Sequence, residues 1–331
     1  MNKSDSERIA TVLENIGYQP ASNKIEADLI VVNMCSVRQS AVDRVYGLAP
    51  EFKKLKQKNS KLKIVLTGCI LKKDKQKFAK IFDSISKFKD LVNVCPKYRS
   101  NYLAYVPISN GCNNFCSYCV VPYVRGPLVC RNHEEILEEV KSLIKKGAKE
   151  IWLLGQNVND YNSKQRTENR ERVINFAKLL KMINKVPGDF SIRFTSPHPK
   201  NFSDELIEVM AGSKKVAKYL NLPVQSGDDK ILKKMNRPYT VKQYKNLVKK
   251  IRKKIPQINL STDVIVGFPG ETKKQFENTV KLFKEIKFNI AYIAKYSQRP
   301  GTTAAKMEDN IPLKEKKRRE KILREILKNH V

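Results

Sequence analysis

The sequence predicts an α/β protein in which an N-terminal doubly wound parallel-sheet domain is followed by a partial (βα)6 barrel. Short β-branched runs, typical of buried parallel strands, alternate with helical patterns along the chain. Polar loops rich in Gly and Pro follow these runs. With 41% hydrophobic residues among 331, the chain has enough apolar side chains for a sizeable core, which excludes intrinsic disorder.

The first predicted domain spans residues 1–97. An S-x-x-E capping box at residues 4–7 predicts the start of a helix, and residues 28–33 and 63–67 predict parallel strands. Units of this kind usually open with a strand, whereas this one opens with a helix. The pattern therefore predicts a further strand upstream of Met1.

The second predicted domain spans residues 102–331 and contains six βα units in series. The predicted strands are 102–108, 150–154, 191–195, 219–222, 259–266 and 291–296. The predicted helices are 134–146, 173–183, 204–210, 241–255, 274–286 and 313–327. All six strand-to-helix loops lie at one end, where barrel enzymes keep their active sites, so the architecture favours catalysis over passive binding.

The charge is strongly positive, with 65 Lys and Arg against 33 Asp and Glu, a net +32. Such an excess either covers solvated helix faces or binds a polyanion such as nucleic acid. No apolar run approaches the about 18 residues of a membrane span, and residues 1–20 lack a signal-peptide core. We therefore expect a cytoplasmic protein without membrane contact. Its seven cysteines are then better explained as metal ligands, catalytic groups or buried residues than as disulfides.

Three of the cysteines follow the first barrel strand in the pattern Cys112-x3-Cys116-x2-Cys119. A zinc site requires a fourth nearby ligand, and His133 lies beyond a further cysteine, Cys130. Three thiolates in one loop can instead hold three irons of a 4Fe–4S cluster and leave the fourth iron open. This loop resembles that of the radical S-adenosylmethionine (SAM) superfamily, in which SAM binds the open iron. Structural or zinc-binding thiols are the alternative.

The resemblance extends along the chain to the methylthiotransferases, a family with the radical SAM barrel. Residues 156–157 and 194–199 are similar to the branch that modifies tRNA, more than to the branches that act on ribosomal protein or threonylcarbamoyladenosine. The matching segments are residues 33–38, 66–69, 112–126, 153–158, 193–199 and 267–271.

The family resemblance implies a second, auxiliary 4Fe–4S cluster held by three cysteines of the first domain. Cys35 and Cys69 match two of these ligands by their flanking residues. In the family the third ligand ends the first strand, so we expect the native chain to extend upstream of Met1 and supply it. Cys95 is the alternative third ligand, and Cys130 matches no ligand of the family.

The reaction implied by the resemblance uses two SAM molecules. One methylates a sulfur of the auxiliary cluster, and the other is cleaved at the radical SAM cluster to a 5′-deoxyadenosyl radical. The radical removes hydrogen from carbon 2 of N6-isopentenyladenosine next to the anticodon, and methylthio transfer follows. Alternatives are action on threonylcarbamoyladenosine or ribosomal protein, or an inactive Fe–S protein that binds tRNA. The implied partners are tRNA and a low-potential electron donor, and we expect a monomer.

Further site residues are predicted from the polar loops and basic positions. The cofactor-binding candidates are Gly155, Gln156, Asn157, Ser196, Gln225, Ser226, Gly267, Gly270 and Glu271. The substrate-binding candidates are Tyr123, Arg125, Arg131, Arg237 and Arg299 on the barrel rim, with Phe194 as a second residue for stacking a base and His198 as a possible contact. Ordinary turn chemistry, surface charge or core packing is the alternative for each. Family members normally add a C-terminal RNA-binding β-barrel, the TRAM module; this chain lacks it, so either tRNA affinity depends on the barrel and the Lys-rich faces or the chain is a fragment.

Overall fold

The structure, a computed structural model, describes residues 1–88, 91–97, 102–167 and 170–329. It contains a small parallel sheet with helices, followed by two three-stranded parallel sections that form a partial barrel. The fold class predicted from the sequence is confirmed. None of the helices within the described ranges is long and apolar enough to cross a membrane.

The N-terminal elements form a three-stranded parallel sheet in the order β1-β2-β3. In this sheet Cys35 is the register partner of Cys69, so both cysteines lie at the carboxyl ends of adjacent strands. The elements are α1 (Asn2–Asn15), β1 (Leu29–Cys35), α2 (Gln39–Tyr46), α3 (Ala49–Lys58), β2 (Lys63–Cys69), α4 (Lys72–Phe78) and β3 (Ser84–Ile85).

The first helix does not begin at the predicted capping box. It starts at Asn2 without a side-chain cap, and Ser4 lies inside it, buried. The Ser4 hydroxyl instead donates to the Tyr105 carbonyl at 3.2 Å, so tertiary contact with the barrel replaces capping. The described residues place no strand against the free edge of β1, where a cavity of about 730 Å³ separates β1 from α1. The upstream strand stays a prediction.

The barrel strands run in chain order as β4-β7-β10 and β11-β12-β13, all parallel. A single bridge from Ile192 to Val216 continues the parallel arrangement between the two sections. The elements are β4 (Leu103–Pro107), β5 (Ser109–Asn110), α5 (Val121–Arg125), β6 (Val129–Cys130), α6 (His133–Lys145), β7 (Glu150–Leu154), β8 (Asn162–Thr167), β9 (Arg170–Asn175), α7 (Phe176–Asn184), β10 (Ser191–Phe194), α8 (Asp204–Gly212), β11 (Tyr219–Asn221), α9 (Asp229–Lys234), α10 (Val241–Lys254), β12 (Asn259–Val266), α11 (Lys273–Ile286), β13 (Ile290–Lys295) and α12 (Leu313–Lys328).

Each predicted barrel strand is present to within one or two residues, but the helix predicted from residue 173 begins later. Val173 and Ile174 belong to β9, which pairs with β8 in an antiparallel hairpin. The helix starts at Phe176 because the Asn175 side chain accepts from the Lys178 amide at 2.9 Å and caps it. The predicted helix boundary is wrong because Val173 and Ile174, which precede the helix directly, have apolar side chains that also fit the helical pattern.

A buried ion network joins the N-terminal domain to the barrel. The Arg8 guanidinium of α1 donates to one oxygen of Glu139 on α6 at 2.8 Å, and Arg131 donates to the other at 2.6 Å. Arg131 also donates to the Pro107 carbonyl. All three charged side chains are buried, so the expected position of Arg131 on an exposed rim is wrong. Arg131 and Arg8 share the single negative charge of Glu139, and a buried charge is tolerated only when paired.

Removal of the shared carboxylate should destabilise the protein. We expect Glu139→Gln to lower the free energy of unfolding by about 3–5 kcal/mol, because two buried guanidinium groups lose their counter-charge. The matched control is Glu51→Gln, which breaks an exposed pair with Lys24 at 2.7 Å and should cost below about 1 kcal/mol. Urea midpoints measure both effects, and equal shifts would contradict the assignment.

Candidate active site

The three-cysteine loop lies directly after β4, at the carboxyl end of the barrel. Its backbone is held by the Cys112 amide, which donates to Gly126 at 3.2 Å, and by the Cys119 amide, which donates to Cys116 at 2.9 Å. Gly111 has φ +80°, and a Cβ there would lie 1.9 Å from the Pro127 carbonyl oxygen, so only glycine permits this turn. The loop is therefore built in one conformation.

The thiols of this loop share a desolvated environment. Cys112 and Cys116 are 8% and 9% exposed. Burial raises the pKa of Cys112 and raises that of Cys119 to about 12, with the charges of the neighbouring cysteines adding to both shifts. Asn114 offsets this at Cys112, because its backbone amide donates to the Cys112 Sγ at 3.4 Å. The cysteines are thus close enough to interact electrostatically.

Arg237 provides a positive charge beside the same loop. Its guanidinium lies 3.6 Å from the Cys116 Sγ and also donates to the Pro223 carbonyl and the Tyr239 hydroxyl. The side chain is buried, so the expected place of Arg237 on an exposed rim is wrong. A positively charged hydrogen-bond donor next to a thiolate sulfur stabilises that sulfur as a cluster ligand.

The donor set fits a 4Fe–4S cluster held at three corners. Two buried thiols and one half-buried thiol from one loop carry N–H donors to their sulfurs, and the charge of Arg237 opposes the accumulation of thiolate charge. Within the described ranges, no three His, Cys, Asp or Glu side chains converge on a single ion site.

The loop after β7 carries unsatisfied polar atoms into the barrel. Both amide atoms of Gln156 and both of Asn157 are buried without a hydrogen-bond partner among the residues that the structure describes, and so is the Asn221 Oδ1 at the end of β11. Buried polar groups normally have partners, so these atoms indicate space for a polar ligand. Amide donors and acceptors suit the amino-acid and ribose groups of SAM, as predicted for Gln156 and Asn157.

Two of the predicted cofactor residues have strained backbones. Ser196 has φ 58° and Gln225 has φ 69°, a region that non-glycine residues rarely adopt. Gln225 is held there by its amide, which donates to Asp263 at 2.8 Å, while its carbonyl accepts from Ile265. Such strain is typical of ligand-binding positions that the surrounding structure holds in place.

The loop after β12 is fastened to the last helix. The Glu271 carboxylate accepts from the Gly267 amide at 2.7 Å and from Arg319 of α12 at 2.6 Å. Its two partners are protein groups, so Glu271 shapes the loop rather than presenting a free carboxylate. Gly267 and Gly270 both have positive φ, and Ser226 is buried on the neighbouring loop.

His198, between two prolines, contributes a hydrogen-bond donor that the sequence did not specify. Its Nδ1 accepts from the Lys200 amide at 3.1 Å, which places the proton of the neutral ring on Nε2. Nε2 is buried and has no partner among the described residues. Burial, with the charges of Arg237 and Lys200, lowers the pKa of His198 to about 3.

The cysteine pair of the N-terminal domain, Cys35 and Cys69, is linked to the barrel by Arg125 of α5. The Arg125 Nε donates to the Cys69 Sγ at 3.2 Å, and its terminal nitrogens bind Asp5 at 2.7 Å and Asn110 at 2.9 Å. Burial raises the pKa of the Cys69 thiol, which the Arg125 charge opposes. Arg125 was expected on the RNA-facing rim; it instead bridges the thiol site and the three-cysteine loop.

Arg299 makes a similar bridge from the loop after β13. It donates to Gln39 at 2.6 Å and to the Ser36 carbonyl, next to Cys35. The side chain is buried, so the expected place of Arg299 on an exposed rim is also wrong. A sequence pattern shows that an arginine is present but not which distant segment it contacts, and for this reason the role of Arg299 was missed.

Two exposed aromatic rings, one within the three-cysteine loop and one just after it, contact each other. Tyr123 is 54% exposed and Phe115 is 56% exposed, and their centroids lie 6.3 Å apart in an edge-on contact. Phe194, the other predicted stacking residue, is buried against Phe176, which excludes an exposed face. The sequence analysis did not predict a stacking role for Phe115.

The two remaining cysteines are outside these groups. Cys95 is exposed. Cys130 is half-buried, with its Sγ accepting from the Asn162 amide at 3.4 Å.

Comparison with known proteins agrees with this geometry. Residues 106–283 match the Radical SAM superfamily, so the fold and the cysteine loop define a radical SAM protein. Residues 1–88 match the uncharacterized protein family UPF0004. The chain is 44% identical to the tRNA-2-methylthio-N(6)-dimethylallyladenosine synthase of Clostridium novyi, over 94% of this chain and 75% of that protein. The same enzyme of Carboxydothermus hydrogenoformans is 40% identical over 96% and 79%. The chain belongs to this family of radical SAM methylthiotransferases.

Solved structures support the fold. The radical SAM methyltransferase TsrM of Kitasatospora setae has a TM-score of 0.66 at 14% identity, covering 91% of this chain and 73% of that chain. Coproporphyrinogen III oxidase of Escherichia coli has a TM-score of 0.51 at 17% identity, covering 73% and 55%. The shared architecture is that of the radical SAM enzymes.

His198 should remain neutral across the physiological range. Because its pKa is lowered to about 3, we expect its ring signals in ¹⁵N-histidine NMR spectra to be constant from pH 8 to 5, with the proton on Nε2. The chain has three histidines, so His198→Gln assigns the signal by its disappearance. A midpoint near 6.5 would contradict the buried, unprotonated state.

Proposed function

We propose that this protein methylthiolates carbon 2 of N6-isopentenyladenosine, also called N6-dimethylallyladenosine, next to the anticodon of tRNA. One observation carries the proposal. Arg125 donates to the Cys69 Sγ, whose register partner is Cys35, and the next residue, Gly126, accepts from the Cys112 amide of the three-cysteine loop. Methylthio transfer needs a radical site and a sulfur site within reach of the same base, and this junction brings both together.

In this proposal Cys112, Cys116 and Cys119 would hold one 4Fe–4S cluster, and Cys35 and Cys69 would be two of the three ligands of a second. The first cluster would supply the electron for cleavage of SAM. The protein's own groups bind and orient. Gln156 and Asn157 offer buried donors and acceptors to the cofactor, and His198 offers a neutral N–H. Arg125 and Arg237 place positive charge beside a cysteine sulfur of each site. Such fixed donors position ligands and exclude water without reorganisation.

The exposed aromatic pair supports RNA as the substrate. Along the chain, Phe115 precedes and Tyr123 follows the last two ligands of the three-cysteine loop, and their rings are in contact. Exposed aromatic rings of this kind stack unpaired bases. The net charge of +32 favours a polyanionic partner. We further propose that the protein works in the cytoplasm as a monomer and receives electrons from a low-potential donor.

Cysteine variants separate the two thiol sites. We expect Cys112→Ala to abolish deoxyadenosine release from SAM. Cys69→Ala should retain deoxyadenosine release and about four irons per chain, yet form no methylthioadenosine in tRNA. Cys95→Ala, at an exposed cysteine, is the control and should form the methylthio product as the unaltered protein does. Iron analysis and nucleoside mass spectrometry after anaerobic reconstitution measure these outcomes.

Different results identify different functions. Full methylthiolation by Cys69→Ala would remove Cys69 from the sulfur site. Deoxyadenosine release without any methylthio product in the unaltered protein would favour an Fe–S protein that binds tRNA without modifying it.

Stacking by Tyr123 predicts a loss of RNA affinity on truncation. We expect Tyr123→Ala to weaken binding of an isopentenylated anticodon stem-loop by about 1–3 kcal/mol, and Tyr123→Phe to retain most of it, because the ring face carries the contact. Tyr102→Ala, at an exposed tyrosine beside the start of β4, is the control and should bind normally. Fluorescence anisotropy gives the dissociation constants. Equal losses in both alanine variants would exclude a specific stacking role.

A further inference from the structure

We propose that the exposed lysines of α4 form the surface that binds the phosphate backbone of the RNA substrate. This inference rests on the proposed tRNA substrate and assigns a part of the chain to it. The surface, called here the α4 basic face, consists of Lys72, Lys73, Lys75 and Lys77 of α4 and of Lys80, two residues after the last residue of the helix.

The α4 basic face results from the helical period. Leu71, Asp74 and Phe78 recur at intervals of three and four residues and are buried, so they form the inner side of the helix. The five lysines lie between these buried positions or just after them, and all five are exposed. The one acidic residue of α4 is thus turned away from solvent, which leaves a surface of a single sign.

Within the described part of the chain, the lysines of this face have no acidic partner. Among the residues that the structure describes, none of the five forms an ion pair, although other basic helices are extensively neutralised. On α10, for example, Lys245, Lys250 and Lys254 each pair with an Asp or Glu of a neighbouring helix. Unpaired ammonium groups hold diffuse counterions of their own and are free to replace those of a phosphate chain, which is the main source of affinity for nucleic acid.

The position of α4 distinguishes it from other free lysines. The helix begins three residues after Cys69, at the carboxyl end of β2. The α5 helix, which carries Tyr123, packs against β2. Burial lowers the pKa of Arg299 from the barrel, and the Asp74 carboxylate on the inner side of α4 opposes this shift, so Asp74 and Arg299 lie near each other. The α4 helix therefore lies at the junction of the two domains, next to the Cys69 site, with its lysines on the solvent side of that junction.

An RNA strand on this face would present its unpaired bases to that junction. Phosphate contacts fix the position of a strand without reading its sequence. The exposed rings of Tyr123 and Phe115 are then available for the bases beside the one that reacts. In this arrangement the lysines of the α4 basic face contact the RNA phosphates, and the aromatic rings at the cysteine loop contact the bases.

The test compares two triple variants with the same charge change. Lys73→Gln/Lys77→Gln/Lys80→Gln removes one stripe of the α4 basic face. Lys145→Gln/Lys249→Gln/Lys253→Gln removes three exposed lysines from α6 and α10, near the helix ends that lead into the starts of β7 and β12, away from the cysteine loop. Glutamine keeps the length and nearly the helix propensity of lysine. Binding of unmodified tRNA is measured by anisotropy across a salt series.

We expect the slope of log K against log salt to fall by about 2–3 in the α4 variant and to be unchanged in the control variant. Iron content and deoxyadenosine release without tRNA should be unchanged in both, which reports intact folding. An unchanged slope in the α4 variant, or equal decreases in both variants, would overturn the inference. Absence of tRNA binding by the unaltered protein would overturn the proposed substrate as well, so the two failures are distinguishable.

Discussion

Three arginines join the N-terminal domain to the barrel, and the geometry of the active site depends on them. Arg8 shares buried Glu139 with Arg131, Arg125 reaches Cys69, and Arg299 holds the backbone beside Cys35. Buried charges are costly unless they are paired or hydrogen-bonded, and here those partners come from the opposite domain, so the contacts favour the docked arrangement. The two thiol sites are therefore held at one spacing by electrostatics as well as by packing.

This rigidity suits a chemistry that passes reactive species between sites. The buried amides of Gln156 and Asn157, which we propose bind the cofactor, have no partner among the described residues, and His198 is kept neutral by burial. Preorganised groups of this kind lose little entropy when the cofactor binds. The substrate base, rather than the protein, is then the part that moves into position, guided by surfaces outside the buried site.

The fold and the cysteine loop are predictable from sequence because their signals are local. β-Branched runs marked the strands, and three cysteines in eight residues marked the radical site. The arginines were misjudged because an exposed and a buried arginine look alike in a sequence; burial depends on a partner such as Glu139 or Cys69, supplied by a distant segment. The capping box failed for the same reason, since Ser4 bonds to a barrel carbonyl.

The attachment of α12 to the proposed cofactor loop has a thermodynamic consequence. Arg319 binds Glu271, and Glu271 in turn holds the Gly267 amide, so the order of the loop and the docking of the helix are parts of one equilibrium. Coupling of this kind is reciprocal. Whatever free energy the docking of α12 contributes to closing the loop on a cofactor, a bound cofactor contributes equally to the docking of α12. The stability of the last helix of the barrel against the loop therefore depends on whether the cofactor pocket is filled.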